Sequence, residues 1–260
     1  MTPISPHEAW LQNQRDTWDK RAEDYGSLEW ARKQDFIHSF IGFGCPDKDW
    51  RVLDVGTGPG IVAAALSPFV GEVIGLDISE KMIAQAKEIH RDRPNISFCL
   101  GDVEEMDFSN NSFDLVMARM VFHHVANCDQ GLSEVLRVLK PGGLLVLCEG
   151  VPPDHVTRAR YEEIFRHKEE RHTFSEAELI NMFDQCGFED ILLSPYFMRQ
   201  VSLNNWLANG ALEQRAIDEI RRLHVEAEPY FKHVYNLNER DNDVFMDWKF
   251  ALVRGQKPLG

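Results

Sequence analysis

Nothing in this chain approaches a membrane-spanning run. The longest apolar stretch, around residues 144–148, falls far short of the roughly 20 residues that a bilayer helix needs. The N-terminal segment has no basic patch followed by an apolar one, which argues against a secretory leader. Cysteine is scarce and scattered, with five residues at positions 45, 99, 128, 148 and 186 and no Cys-x-x-Cys pair. An odd, dispersed set supports neither a disulfide scaffold nor a zinc knuckle, so these thiols read as small apolar side chains in or near a core. Positive charge is in deficit too: 28 lysines and arginines face 42 acidic residues, for a formal net charge of −14. Without a local basic patch, such a surface repels phosphate backbones and anionic lipid, so neither nucleic acid nor membrane is expected as a partner. The expected compartment is cytoplasmic. Repeats, low-complexity tracts and polar linkers are also missing. What is present, 43% hydrophobic and 27% charged residues over 260 positions, suits one globular domain with a sizeable core.

The pattern along the chain divides this domain, residues 1–260, into three parts. Residues 1–40 read as helical, with Trp10, Trp18, Ala22 and Tyr25 among many charges, and form a lid. Residues 41–150 alternate short apolar runs with helix candidates. Runs at 52–55, 73–76, 97–100, 113–117 and 144–148 are buried strands, separated by helices such as those beginning at Ile61 and Ser79 and the one at 131–139. Strands alternating with helices imply a parallel sheet covered on both faces. Beyond Gly150 the rhythm changes to a charged helix at 157–171, a helix opened by Ser175 and closed by Gly187, and a sixth strand at 191–193. A helix at 204–224 and a last strand at 246–253 complete the reading. The roughly fifty residues between the last two strands read as an inserted helical cap, and residues 151–260 as the acceptor side. The fold class is therefore α/β, Rossmann-like and doubly wound, with a mostly parallel seven-stranded sheet.

The first strand runs into Gly56-Thr57-Gly58-Pro59-Gly60 and then a helix. Alternating glycines let the backbone turn tightly and approach a ligand at the carboxyl end of the sheet. The spacing is G-x-G-x-G rather than the G-x-G-x-x-G of dinucleotide binders, and no lysine followed by serine or threonine makes a P-loop. The next strand ends in Asp77, where a carboxylate accepts from both hydroxyls of a ribose and repels a phosphate there. The residues thus describe a site for a nucleoside with little phosphate.

Residues 52–60, Asp77, Gly101-Asp102-Val103, Phe113-Asp114 and the Lys140-Pro141-Gly142-Gly143 turn resemble, in order and spacing, the motifs of class I S-adenosylmethionine-dependent methyltransferases. The resemblance spans about residues 18–150 and points to the branch that includes the ubiquinone/menaquinone-biosynthesis methyltransferases. It implies S-adenosyl-L-methionine as cofactor. It also implies that Gly56, Thr57, Gly58 and Gly60 line the methionine moiety, with Asp54 supporting either the turn or the cofactor amino group. Asp77 would hold the ribose, Ile78 would pack on adenine, Asp102 and the Val103 backbone would meet the adenine edge, and Arg119 would neighbour the methionine end. Tyr25 would belong to a helix closing over the cofactor. Read from the residues alone, Asp54 is equally a brace of the turn, Asp102 a helix cap, and Tyr25 a packing residue.

Methyl transfer from an activated sulfonium mainly requires alignment of the acceptor, plus a base where the acceptor atom must lose a proton. His123 and His124, just past the fourth strand, are the catalytic candidates; as neighbours on a helix, one of the two is expected to reach the cleft. Met117-Ala118-Arg119 offers no carboxylates to hold a divalent ion, and the fifth strand offers Glu149 alone, so no metal is expected. The basic stretch at 158–172 pairs internally, Arg158 with Glu162 and Arg166 with Glu162 or Glu170, or lends an arginine to an anionic acceptor. Trp206, Tyr230, Phe231 and Tyr235 in the cap suit an apolar or planar one. The expected partner is therefore a small-molecule methyl acceptor, aromatic or anionic, methylated on oxygen, nitrogen or carbon. Two other functions fit less well: a non-catalytic S-adenosylmethionine-binding module, and an NAD-dependent oxidoreductase, which the glycine spacing opposes.

Overall fold

The computed structural model describes residues 4–208 and 212–260. A helix at Pro6–Tyr25 (α1) opens the chain behind Ser5, whose hydroxyl accepts from the Glu8 backbone in a reciprocal capping box. A second helix, Gln34–Phe43 (α2), buries Phe36, Ile37, Phe40 and Ile41; burying each such side chain is worth about 1.5–3 kcal/mol. The chain then alternates as its apolar runs predict: β1 (Arg51–Val55), α3 (Ile61–Leu66), β2 (Glu72–Asp77), α4 (Glu80–Ile89), β3 (Ile96–Leu100) and β4 (Phe113–Arg119). These are followed by α5 (Cys128–Val138), β5 (Leu139–Val151), α6 (Arg158–Lys168) and α7 (Glu176–Cys186). Last come β6 (Glu189–Ser202), the helices α8 (Leu203–Leu207), α9 (Gln214–Val225) and α10 (Pro229–Val234), and finally β7 (Asn238–Arg240) and β8 (Asp243–Gln256).

The sheet order is β3-β2-β1-β4-β5-β8-β6, with β7 pairing off this path onto β8. The five strands from β3 to β5 are parallel, while β8 runs antiparallel to both β5 and β6. The chain order reverses between β1 and β4, so the crevice beyond the carboxyl ends of these strands is where the topology places a ligand. One apolar cluster fills each face of the sheet: Leu53, Val55, Val116 and Leu147 point to one side, and Val52, Leu115, Met117 and Cys148 to the other.

Two expectations about the cap change. The sixth strand is not a short run at 191–193 but fourteen residues long, paired with β8 through to Ser202. Its outward positions are polar or half-exposed, which breaks the apolar run that sequence reading depends on. The insertion therefore begins at Leu203 rather than directly after residue 193, and its far end folds back as the β7–β8 hairpin. The expected helix at 204–224 resolves into α8 and α9, with positions 209–211 outside the described residues. Among the cysteines, Cys148 is buried in the core, whereas Cys45 is exposed just after α2. Among the described residues, no helix is long and apolar enough to cross a membrane.

Candidate functional site

Two cavities meet beneath α1. The first lies over the ends of β1, β2 and β4 and is covered by Leu11, Gln14, Trp18 and Tyr25 of α1, whose spacing puts them on one helical face. The turn that floors it needs glycine: Gly56, Gly58 and Gly60 have φ of +61°, +53° and +82°. A Cβ on Gly56 would come within 2.3 Å of the Val121 side chain. The Gln14 Oε1 and His124 Nδ1 atoms are buried and lack a hydrogen-bond partner among the described residues, and both residues line this cavity.

Of the residues expected at a cofactor, Tyr25, Gly56, Gly58, Asp77, Ile78, Asp102, Val103 and Arg119 line this one cavity. Asp54, Thr57 and Gly60 do not. The Asp54 carboxylate is buried behind the turn, accepting from Thr57 Oγ1 at 2.6 Å and from the Ala63 backbone N–H at 3.1 Å. It braces the junction of β1 with α3, and burial pushes its pKa up to about 7. Thr57 is consumed in the same bond. Gly60 is the left-handed N-cap of α3, where a Cβ would strike His90 and Phe98.

Asp77 faces the cavity with its two oxygens partly committed: Oδ2 accepts from the Gly58 N–H at 2.8 Å and Oδ1 from the Ser79 N–H at 2.9 Å. A carboxylate has roughly four acceptor sites, so lone pairs remain for a ligand. Burial raises its pKa to about 6. The Asp102 Oδ1 accepts from the Glu104 N–H at 2.9 Å, and burial raises this carboxyl as well. Arg119 is buried, donates to the Ala31 carbonyl at 2.9 Å and lies over the Phe36 ring, so it anchors the turn between α1 and α2 beside the cavity.

The second cavity adjoins the first through Trp18, Tyr25, Met120 and His124, which line both. Met120 is held at φ +61°, a conformation that costs a non-glycine residue free energy, and it sits where the cavities join. Both histidines line this second cavity, whereas His124 alone of the two lines the first. They sit on a tight turn at 122–124 rather than a regular helix, their ring centroids 4.1 Å apart. His123 Nδ1 lies 2.5 Å from Glu149 Oε2, and Glu149 Oε1 accepts the Val121 and Phe122 N–H groups at 3.1 and 2.8 Å. With Glu149 ionised, its Oε2 accepts from His123 Nδ1–H, which leaves Nε2 with a lone pair. Burial, reinforced by the Arg171 charge, holds the His123 pKa well below its ordinary value, and burial pushes Glu149 up to about 7.

The rest of the second cavity is aromatic and cationic. Tyr161, Phe165, Trp206, Trp248 and Phe250 supply rings; Arg21, Lys168, Arg171 and Lys249 supply charge, against Glu169. The His123, His124 and Glu169 donor atoms lie within 4.8 Å of one another, a spacing a metal ion can use. The charges around them oppose one. Arg21 and Lys168 each reach Glu169 Oε2 at 2.7 Å, and Arg171 stands 3.7 Å from Oε1, so cations already hold that carboxylate.

The ion pairs of 158–172 are only partly those expected. Arg158 pairs with Glu162, and also with Glu178; Arg166 instead donates to the Glu162 carbonyl. Of the cap aromatics, Trp206 lines the cavity, Tyr230 is half exposed and donates to Asp154, and Phe231 and Tyr235 stack on each other at 4.2 Å inside the cap. The sequence reading missed Leu11, Gln14, Arg21, Glu169 and Trp248 as cavity residues. The first two were within reach, because they share a helical face with Trp18 and Tyr25. Arg21, Glu169 and Trp248 come together only in the folded chain.

A family model described as a methyltransferase domain matches residues 53–147. The chain is 28% identical over 222 residues to the uncharacterized methyltransferase YcgJ of Bacillus subtilis, an alignment covering 80% of this chain and 84% of that protein. The crystal structure of YcgJ superposes with a TM-score of 0.76 at 25% identity, covering 87% of this chain and all, 100%, of that one. A demethylmenaquinone methyltransferase of Beutenbergia cavernae is 33% identical over 152 residues, 52% of this chain and 62% of that enzyme. At the level of fold alone, Haemonchus contortus phosphoethanolamine N-methyltransferase 2, solved with S-adenosyl-L-methionine, matches with a TM-score of 0.67 at 20% identity, covering 99% of this chain and 61% of that one.

Proposed function

The chain belongs to the class I S-adenosylmethionine-dependent methyltransferases, and on that premise we propose that it methylates a small molecule at an atom that must first lose a proton. The cofactor supplies an electrophilic methyl group on a positively charged sulfur. The turn-side cavity suits it. A glycine floor with positive φ admits a backbone-hugging ligand, Asp77 offers lone pairs to a ribose, and Asp102 with Val103 meets a planar base. The orphaned Gln14 Oε1 and His124 Nδ1 provide further polar contacts toward the same space. The acceptor occupies the adjoining aromatic cavity, so the methyl group passes through the opening walled by Trp18, Tyr25, Met120 and His124.

The observation that carries this reading is the His123–Glu149 pair. Glu149 fixes the tautomer, and the Nε2 lone pair of a neutral imidazole takes the proton of a hydroxyl, or of an acidic nitrogen or carbon, as the methyl group arrives. Burial of this side of the site excludes water from competing.

The test is incubation with methyl-labelled S-adenosylmethionine and a fractionated metabolite pool, following both labelled product and S-adenosylhomocysteine. Label in a low-mass product supports the proposal. Tight cofactor binding with no transfer to any fraction would leave a cofactor-binding module instead.

A further inference from the structure

The charge balance of the second cavity reaches beyond the identity of the reaction. Arg21, Lys168 and Arg171 surround Glu169, and each of the four side chains is at most 6% exposed. Three cations against one carboxylate leave two positive charges in excess. Lys249 is matched by Glu176 at 2.8 Å, and Glu149, bonded to a neutral His123, offsets one of the two when ionised, so at least one positive charge stays in excess. Buried charge is ordinarily paired, because desolvation makes an unpaired ion expensive. Two guanidinium nitrogens there, Arg171 Nη1 and Arg21 Nε, are buried with no hydrogen-bond partner among the described residues. Arg171 Nη1 comes to 3.7 Å from Glu169, close enough for charge attraction but too far for a hydrogen bond.

We infer that the methyl acceptor is a small carboxylate whose anionic group seats against Arg171 and Arg21. The inference rests on the two-cavity reading above. Two unpartnered guanidinium donors match the two oxygens of a carboxylate. Glu169, a fixed negative charge in the same cluster, adds repulsion against a dianion. The body of the acceptor is planar or apolar, because the anion-binding groups are set among rings: the Arg171 guanidinium lies 4.2 Å from the Phe165 centroid, and the Lys168 ammonium 5.1 Å from that of Trp206. Burial draws the Lys168 pKa down to about 8, so an arriving anion also restores its full charge near neutral pH. With His123 lining the same cavity, the acceptor that fits is a hydroxy acid or a related carboxylate with an ionisable methyl-accepting atom.

Calorimetry on the protein saturated with S-adenosylhomocysteine tests this with three probes: 4-hydroxybenzoate, the neutral 4-hydroxybenzamide, and phenyl phosphate. The expected result is at least about tenfold tighter binding of the benzoate than of either other probe, with the preference over the amide lost in Arg171→Met and S-adenosylhomocysteine affinity unchanged. Should Arg171→Met not fold, Lys168→Met is measured instead and is expected to reduce the same preference. Equal binding of benzoate and benzamide, no binding of any probe, or a preference that survives the substitution overturns the inference. Tighter binding of phenyl phosphate overturns the carboxylate assignment. Failure of S-adenosylhomocysteine itself to bind would instead count against the two-cavity reading, so the two failures are separable.

Discussion

The carboxylate of Asp77 accepts the backbone N–H of Gly58 at 2.8 Å, tying the end of β2 to the glycine turn that follows β1. One side chain thus shapes the floor of the cavity and, on the proposed reading, offers its remaining lone pairs to the cofactor. Asp77→Ala is expected to weaken S-adenosylhomocysteine binding by roughly 1–3 kcal/mol, the scale of hydrogen bonds to a charged group. Because burial sets the Asp77 pKa at about 6, wild-type affinity should also decline as pH falls through that value and the carboxylate takes up a proton. Calorimetric titrations from pH 5 to 8 measure both, and an affinity unaffected by the substitution removes Asp77 from the site.

Gly58→Val should abolish cofactor binding while the sheet survives. The position has φ +53°, where a β-branched residue is strained, and an added Cβ would stand about 4 Å from Met82 and Tyr25, inside the cavity. Circular dichroism with a binding titration reads the outcome. Normal binding by the variant would reduce the turn to a simple connection between β1 and α3.

Glu149→Gln should cost about 10²–10⁴-fold in acceptor turnover. A glutamine can still accept from Val121 and Phe122, but its amide then donates to His123 Nδ1, which moves the imidazole proton to Nε2 and removes the base. The sign of the pH effect follows from the raised carboxyl: with Glu149 near 7, the competent dyad is present above that pH and is lost as pH falls below it. The wild-type kcat/KM profile is expected to descend on its acid side near pH 7, and the variant to lack that descent. Cofactor affinity should stay within about twofold, since His123 and Glu149 do not line the cofactor cavity.

Trp206 and Tyr235, similar in the sequence, should part company in experiment. Trp206→Ala opens the acceptor cavity and should depress acceptor binding while sparing the cofactor. Tyr235→Ala removes packing inside the cap and should cost about 3–5 kcal/mol of stability. Tyr235→Phe is the sharper probe. The Tyr235 hydroxyl is buried without a partner among the described residues, so deleting it should leave stability unchanged or raise it by about 1–3 kcal/mol. Thermal melting of the two Tyr235 variants, beside acceptor titration of Trp206→Ala, distinguishes a cap-core role from a cavity role.

The cofactor half was legible because its information is local. A strand, its glycine turn and the helix after it lie within a dozen or so residues, and the Asp77 and Asp102 strand ends follow from the same alternation. The sequence left Asp54 open between a brace of the turn and a ligand contact; its bonds to Thr57 and Ala63 make it the brace, and Asp77 faces the cavity. The acceptor half is a long-range construction. Arg21 meets Glu169 across 148 positions of chain, and His123 meets Glu149 across 26; periodicity carries no trace of such pairs. Of β6 only residues 191–193 were legible, because its half-exposed positions lack the continuous apolar run that marked the buried strands.

Met246, Trp248 and Phe250 occupy alternate positions of β8 and wall the acceptor cavity together. The ladder to β6 pairs all three, and the ladder to β5 adds a second side from Lys249 onward. A substitution at any of the three changes the shape of the cavity without touching the glycine turn, which follows β1, three strands away in the sheet. On the proposed two-cavity reading, single exchanges along this one strand would alter the acceptor's surroundings and leave the glycine turn as it is.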